Sequence, residues 1–120
     1  MKKILVVDDA AFMRLAIKTM LMKNGFEDVE EAVNGTEGLK KYIEFKPDVV
    51  TMDITMPDMS GLDALKAIIE YDPAAKVIMI SAMGQEEMVK ESIMYGARSF
   101  IVKPIKEDQV IKTINKILAK

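Results

Sequence analysis

Ile4-Leu5-Val6-Val7-Asp8-Asp9 and Val49-Val50-Thr51-Met52-Asp53 decide the reading of this chain. Each is a short apolar run that ends on carboxylate, the pattern of a buried strand delivering acidic side chains at its carboxyl end. In an open parallel sheet those ends share one edge, where ligands bind. If the two strands are neighbours, Asp8, Asp9 and Asp53 converge. Two carboxylates roughly 5 Å apart repel by about 3 kcal/mol at an effective dielectric of about 20, so the trio calls for a cation.

Outward from these runs the chain alternates strand and helix. Strands are expected at Lys3–Asp8, Val29–Ala32, Asp48–Asp53, Lys76–Ser81 and Ser99–Lys103. Phe12, Leu15, Ala16, Thr19 and Met20 carry helical spacing, ended by Asn24-Gly25. Leu39, Tyr42 and Ile43 mark a second helix, stopped at Lys46-Pro47. Leu62, Leu65, Ile68 and Ile69 mark a third, with Asp72-Pro73 beyond. A fourth runs from about Gln85 to Tyr95 through Met88, Val89 and Ile93, capped by Gly96. Val110, Ile111, Ile114, Ile117 and Leu118 form the stripe of the last. Repeated strand–helix units imply parallel pairing with right-handed crossovers. The expected fold is a flavodoxin-like (βα)5 doubly wound α/β sandwich with strand order 2-1-3-4-5, in which the first and third strands are neighbours. Residues 1–120 are read as a single domain, with no linker or repeat.

Composition narrows the chemistry. The chain has 120 residues, a formal charge of −2, and neither cysteine nor histidine. Thiolate nucleophiles, serine–histidine hydrolysis and His-ligated zinc are excluded. The near-neutral charge gives no reason to expect nucleic acid or an anionic membrane as partner. With no signal-peptide pattern or membrane-spanning run, the cytoplasm is the expected compartment. What remains is carboxylate, hydroxyl and lysine chemistry, suited to a hard cation such as Mg²⁺.

Each candidate has a plainer alternative. Asp8-Asp9 could be a helix N-cap pair. Asp53 could merely cap the next loop, or be a nucleophile that forms an aspartyl phosphate. Ser81 and Lys103, at the expected ends of the fourth and fifth strands, could be solvated. On one sheet edge, however, a hydroxyl and an ammonium beside three carboxylates suit a phosphoryl group. Of eleven methionines, Met20, Met52, Met79 and Met88 are expected in the core. Met59, Met83 and Met94 are expected at the surface, where methionine serves adaptable binding. Met94, Tyr95 and Phe100 would border an output face.

The ordered set Asp8-Asp9, Asp53 with Met56-Pro57 and Gly61, Ser81-Ala82 and Lys103-Pro104 resembles the two-component receiver domain from end to end. Asp8-Asp9-Ala10-Ala11-Phe12-Met13-Arg14 and Ser81-Ala82-Met83-Gly84-Gln85 resemble more narrowly the stand-alone chemotaxis regulators outside the enteric group. The resemblance implies a signalling switch rather than an enzyme. It implies that Asp53 accepts phosphoryl from a CheA-like histidine kinase. Asp9, Asp53 and the Thr55 main-chain carbonyl would ligate Mg²⁺, with Asp8 acting through water. Ser81 and Lys103 would engage the phosphoryl group, over a cis Lys103–Pro104 peptide, and Phe100 would be the aromatic switch. It further implies a monomer whose partners are a flagellar motor switch protein or archaeal motor adaptor, and a phosphatase. Thr55 and Met83 replace the asparagine and glutamate of the enteric pattern beside the path of the hydrolytic water. Alternatives left open are a receiver of another phosphorelay, one severed from a DNA-binding regulator, and a flavodoxin-like enzyme or cofactor carrier.

Overall fold

Three strands are apolar almost throughout, and they are the three at the centre of the sheet. In the computed structural model, which describes residues 2–57 and 59–119, β1 (Lys3–Val7), β3 (Val49–Asp53) and β4 (Val77–Ser81) are buried along nearly their whole length. Strands covered on both faces need such continuous apolar runs. The more polar β2 (Asp28–Ala32) and β5 (Ser99–Val102) form the edges. All pairings are parallel, in the order β2-β1-β3-β4-β5. The expected fold and strand order are those observed, with element ends differing by about one residue.

Helices α1 (Ala11–Lys23) and α5 (Glu107–Leu118) cover one face, burying Ile17, Leu21, Val110, Ile114 and Ile117 against Ile4, Val6, Ile78 and Ile101. Helices α2 (Gly35–Phe45), α3 (Gly61–Tyr71) and α4 (Glu86–Met94) cover the other, where Leu65, Ile68 and Val89 meet Leu5, Val50, Met52 and Met79. Each such aliphatic side chain contributes about 1.5–3 kcal/mol on burial. Asn34 caps α2 by accepting from Glu37 N–H at 2.8 Å, and Ser60 Oγ caps α3 by accepting from Asp63 N–H at 3.1 Å. Beyond α1 the chain turns at Gly25, whose φ of +89° suits glycine. Among the described residues no helix is long and apolar enough to cross a membrane.

Some side chains sit differently from expectation. Phe12 and Leu15 are 78% and 64% exposed. The helix presents the stripe of Ile17 and Leu21 to the sheet, one position round from the expected face. Ile43 and Ile93 are also exposed. Met59, expected at the surface, packs half-buried against the core; Met83 and Met94 are exposed as expected.

Candidate functional site

Strand register builds the site. Val7 pairs with Met52, which sets Asp8 level with Asp53 across the β1–β3 seam. Asp53 pairs with Ile80, and Ser81 with Val102, so Ser81 and Lys103 follow in a staircase along the same edge. The Lys103 N–H donates to the Ser81 carbonyl at 2.7 Å, holding the last two steps together.

Carboxylate oxygens of Asp8, Asp9 and Asp53 all lie within 4.8 Å of one another. Asp8 is 2% exposed and Asp53 5%, while Asp9 faces solvent. Asp8 does not cap a helix: α1 begins after Ala10, and Asp8 Oδ1 instead accepts from the Ala10 N–H at 2.9 Å. Its other oxygen, Oδ2, is buried with no hydrogen-bond partner. Asp53 Oδ1 accepts from the Thr55 N–H at 3.3 Å, and Oδ2 faces the Lys103 ammonium at 3.4 Å. The Lys103–Pro104 peptide is cis.

Burial is the main cause that raises both the Asp8 and the Asp53 carboxyl pKa above the ordinary range. The neighbouring carboxylates push the same way. Lys103 and the backbone N–H groups of Ala10 and Thr55 pull back without cancelling the rise. The pocket is therefore short of positive charge. Its donors are hard oxygens, and a buried carboxylate oxygen lacks a partner, which together fit a hard divalent cation.

Ser81 is likewise buried, and its Oγ has no partner. A desolvated, unpaired hydroxyl costs free energy and is available to a group arriving at the edge. Beside it opens an apolar groove of about 690 Å³, lined by Ala82, Met83, Val89, Met94 and Phe100 among others. Phe100 is 45% exposed there. The structure thus gathers Asp8, Asp9, Asp53 and Lys103 in direct proximity. It sets Ser81 on the adjoining strand end and leaves Phe100 further along the groove.

Matches to known proteins follow this geometry. A model of the response regulator receiver domain matches residues 4–115. The chain belongs to the response regulator receiver family. It is 54% identical to the chemotaxis protein CheY of Thermotoga maritima over 116 residues, covering 97% of each chain. It is 58% identical to that of Bacillus subtilis, again over 97% of both. A solved CheX–CheY–BeF3–Mg²⁺ complex from Borrelia burgdorferi superposes with a TM-score of 0.94 at 38% identity, over 99% of this chain and 90% of that one. This receiver is accordingly a phosphorylation-activated response regulator of chemotaxis, a signalling switch and not a conventional enzyme.

Two residues of the site were not singled out in the sequence. Arg14 donates from Nη1 to the Asp8 carbonyl oxygen at 2.7 Å and from Nε to Glu31 Oε1 at 3.1 Å, so it fastens the acidic turn to β2. Its position one turn into the helix after two aspartates was the available signal. Gln85 accepts from the Ala82 N–H at 2.6 Å and donates to Thr55 Oγ1 at 2.7 Å. An amide four residues after Ser81 carries no signal of its own.

Proposed function

We propose that Asp53 is the phosphoacceptor and that Asp8, Asp9, Asp53 and the Thr55 main-chain carbonyl hold Mg²⁺. The observation that carries this reading is the convergence of three carboxylates with one ammonium at a single sheet edge. The related Borrelia complex, which contains BeF3 and Mg²⁺, supports the same pairing of metal and phosphoryl-like group. Bound there, the cation neutralises charge on the transferring phosphoryl group.

Asp53 Oδ attacks phosphorus of a phosphohistidine. The O–P bond forms, the P–N bond breaks, and its electron pair stays on the imidazole nitrogen, which takes a proton. Lys103, already facing Asp53 Oδ2, pairs with a phosphoryl oxygen, and the unpartnered Ser81 hydroxyl donates to another. Movement of Ser81 opens space beside Phe100, whose ring leaves its half-exposed position in the groove. The two packings differ in their contacts with phosphoryl, and that difference is what shifts the population. Attack by water on the aspartyl phosphate breaks the Asp53 O–P bond, releases inorganic phosphate and returns the carboxylate, which resets the switch.

The chain works as a single-domain monomer in the cytoplasm. It takes phosphoryl from a CheA-like histidine kinase and signals to a flagellar motor switch protein or archaeal motor adaptor, with a phosphatase resetting it. Mass spectrometry after incubation with Mg²⁺ and acetyl phosphate tests the core of this reading. Wild type is expected to gain one phosphoryl mass and Asp53→Asn none. An adduct that persists in Asp53→Asn overturns the assignment.

A further inference from the structure

Gln85 ties together the two loops that leave the phosphoacceptor strand and its neighbour. Its atom assignment is forced: a backbone N–H can only donate, so Oε1 faces Ala82 and the NH2 group is left for the Thr55 hydroxyl. The Thr55 N–H in turn donates to Asp53 Oδ1. Three hydrogen bonds therefore run from Ala82, the residue after Ser81, back to Asp53. Through them a neutral amide occupies a backbone donor beside the unpartnered Ser81 hydroxyl. Gln85 is only half-buried, so both of its bonds exchange readily for water.

We propose that Gln85 is a positioning residue that latches the β4–α4 loop in the unphosphorylated form and lets go when Asp53 carries a phosphoryl group. The proposal rests on Asp53 being the phosphoacceptor. A phosphoryl oxygen is a charged acceptor and forms a stronger hydrogen bond than an amide carbonyl does. It outcompetes Gln85 Oε1 for the Ala82 N–H as Ser81 turns toward it. Release of Oε1 also frees the Thr55 hydroxyl, so the loops after β3 and β4 loosen together. Contacts made only in the unphosphorylated state oppose phosphorylation, and Gln85 thereby sets how readily the switch closes.

Beryllofluoride with Mg²⁺, titrated against backbone amide and side-chain NH2 resonances, tests the latch in the whole chain. In wild type the Gln85 NH2 signals are expected to move to solvent-exposed positions as the probe binds. Gln85→Ala is expected to bind the probe about fivefold tighter, the scale of two exchanged neutral hydrogen bonds. Thr55→Val, which keeps the main chain and removes one bond, is expected to give a smaller gain. The double variant should bind no tighter than Gln85→Ala alone, because both changes open one bridge. Unchanged or weaker binding by Gln85→Ala, additive effects, or Gln85 signals indifferent to the probe overturn the latch while leaving the phosphoacceptor in place. Equal binding by wild type and Asp53→Asn overturns the phosphoacceptor reading and the latch with it.

Discussion

Replacing Gly61 by alanine is expected to destabilise this receiver, although helix propensity alone gives the opposite sign. Gly61 is the first residue of α3, where glycine-to-alanine exchange ordinarily gains up to about 1 kcal/mol. Here an added Cβ would lie 2.0 Å from the Asp53 carbonyl oxygen, 2.6 Å from Ile54 Cα and 2.8 Å from the Asp53 carbonyl carbon. All three are backbone atoms, so no flexible side chain can swing aside. Relief means moving the start of α3 away from β3, which breaks the 2.7 Å bond from Gly61 N–H to the Ile54 carbonyl. Overpacking costs about 1–3 kcal/mol, and the lost hydrogen bond about 1 kcal/mol more. The net expectation is a loss of about 1–3 kcal/mol once the propensity gain is subtracted. Urea unfolding should show the midpoint fall with the slope unchanged. Calorimetry should show weaker Mg²⁺ binding, because the displaced backbone carries Asp53. An alanine variant as stable as wild type, binding Mg²⁺ equally well, would mean that the close approach does not hold this loop.

Ser81→Ala removes a buried hydroxyl that has no partner, so the fold should be unchanged or gain about 1 kcal/mol; beryllofluoride-induced shifts at β5 should be lost in the same sample. For Asp8, the raised folded pKa means that its contribution to stability is present below the unfolded value of 3.8 and lost as pH climbs through the folded one. In metal-free buffer Asp8→Asn should therefore overtake wild type as pH rises, and Mg²⁺ should close the gap; urea midpoints across pH measure both. Tyr42→Phe loses the 2.7 Å bond to Asp72 and about 1 kcal/mol. Burial, then Asp72, raises the Tyr42 phenol above its ordinary 10.0, so its stabilisation holds below pH 10.0 and fails above the folded value; the tyrosinate absorbance difference between wild type and variant should show that late step. Met83→Glu puts a strong acceptor where the methionine thioether offers only a weak one and should change autodephosphorylation by more than about twofold in a decay time-course.

What the sequence disclosed and what it withheld have physical causes. Val49–Asp53 announces a central strand because a strand covered on both faces must be apolar at every position. Asp53 stands out because a carboxylate is costly at the end of such a run. The face of α1 was misjudged because two helical stripes compete there, one through Phe12 and Leu15 and another through Ile17 and Leu21. Both have good spacing, and only the position of the sheet selects the second. Met59 went wrong for a related reason: it belongs to the loop between β3 and α3, whose path over α2 is a tertiary outcome. Gln85 was read only as part of a motif, and its bridging role stayed hidden because Thr55, 30 residues away, lies on a separate loop.

The acidic pocket draws on two strands that touch in space but are separated along the chain by α1, β2 and α2. No fragment ending before β3 contains it, and no unfolded chain does. An emerging or heat-melted polypeptide has ordinary scattered aspartates and gives a phosphoryl donor nothing to recognise. Pairing over such a separation is among the slower events in folding. The acidic pocket therefore exists only once β1 and β3 have paired.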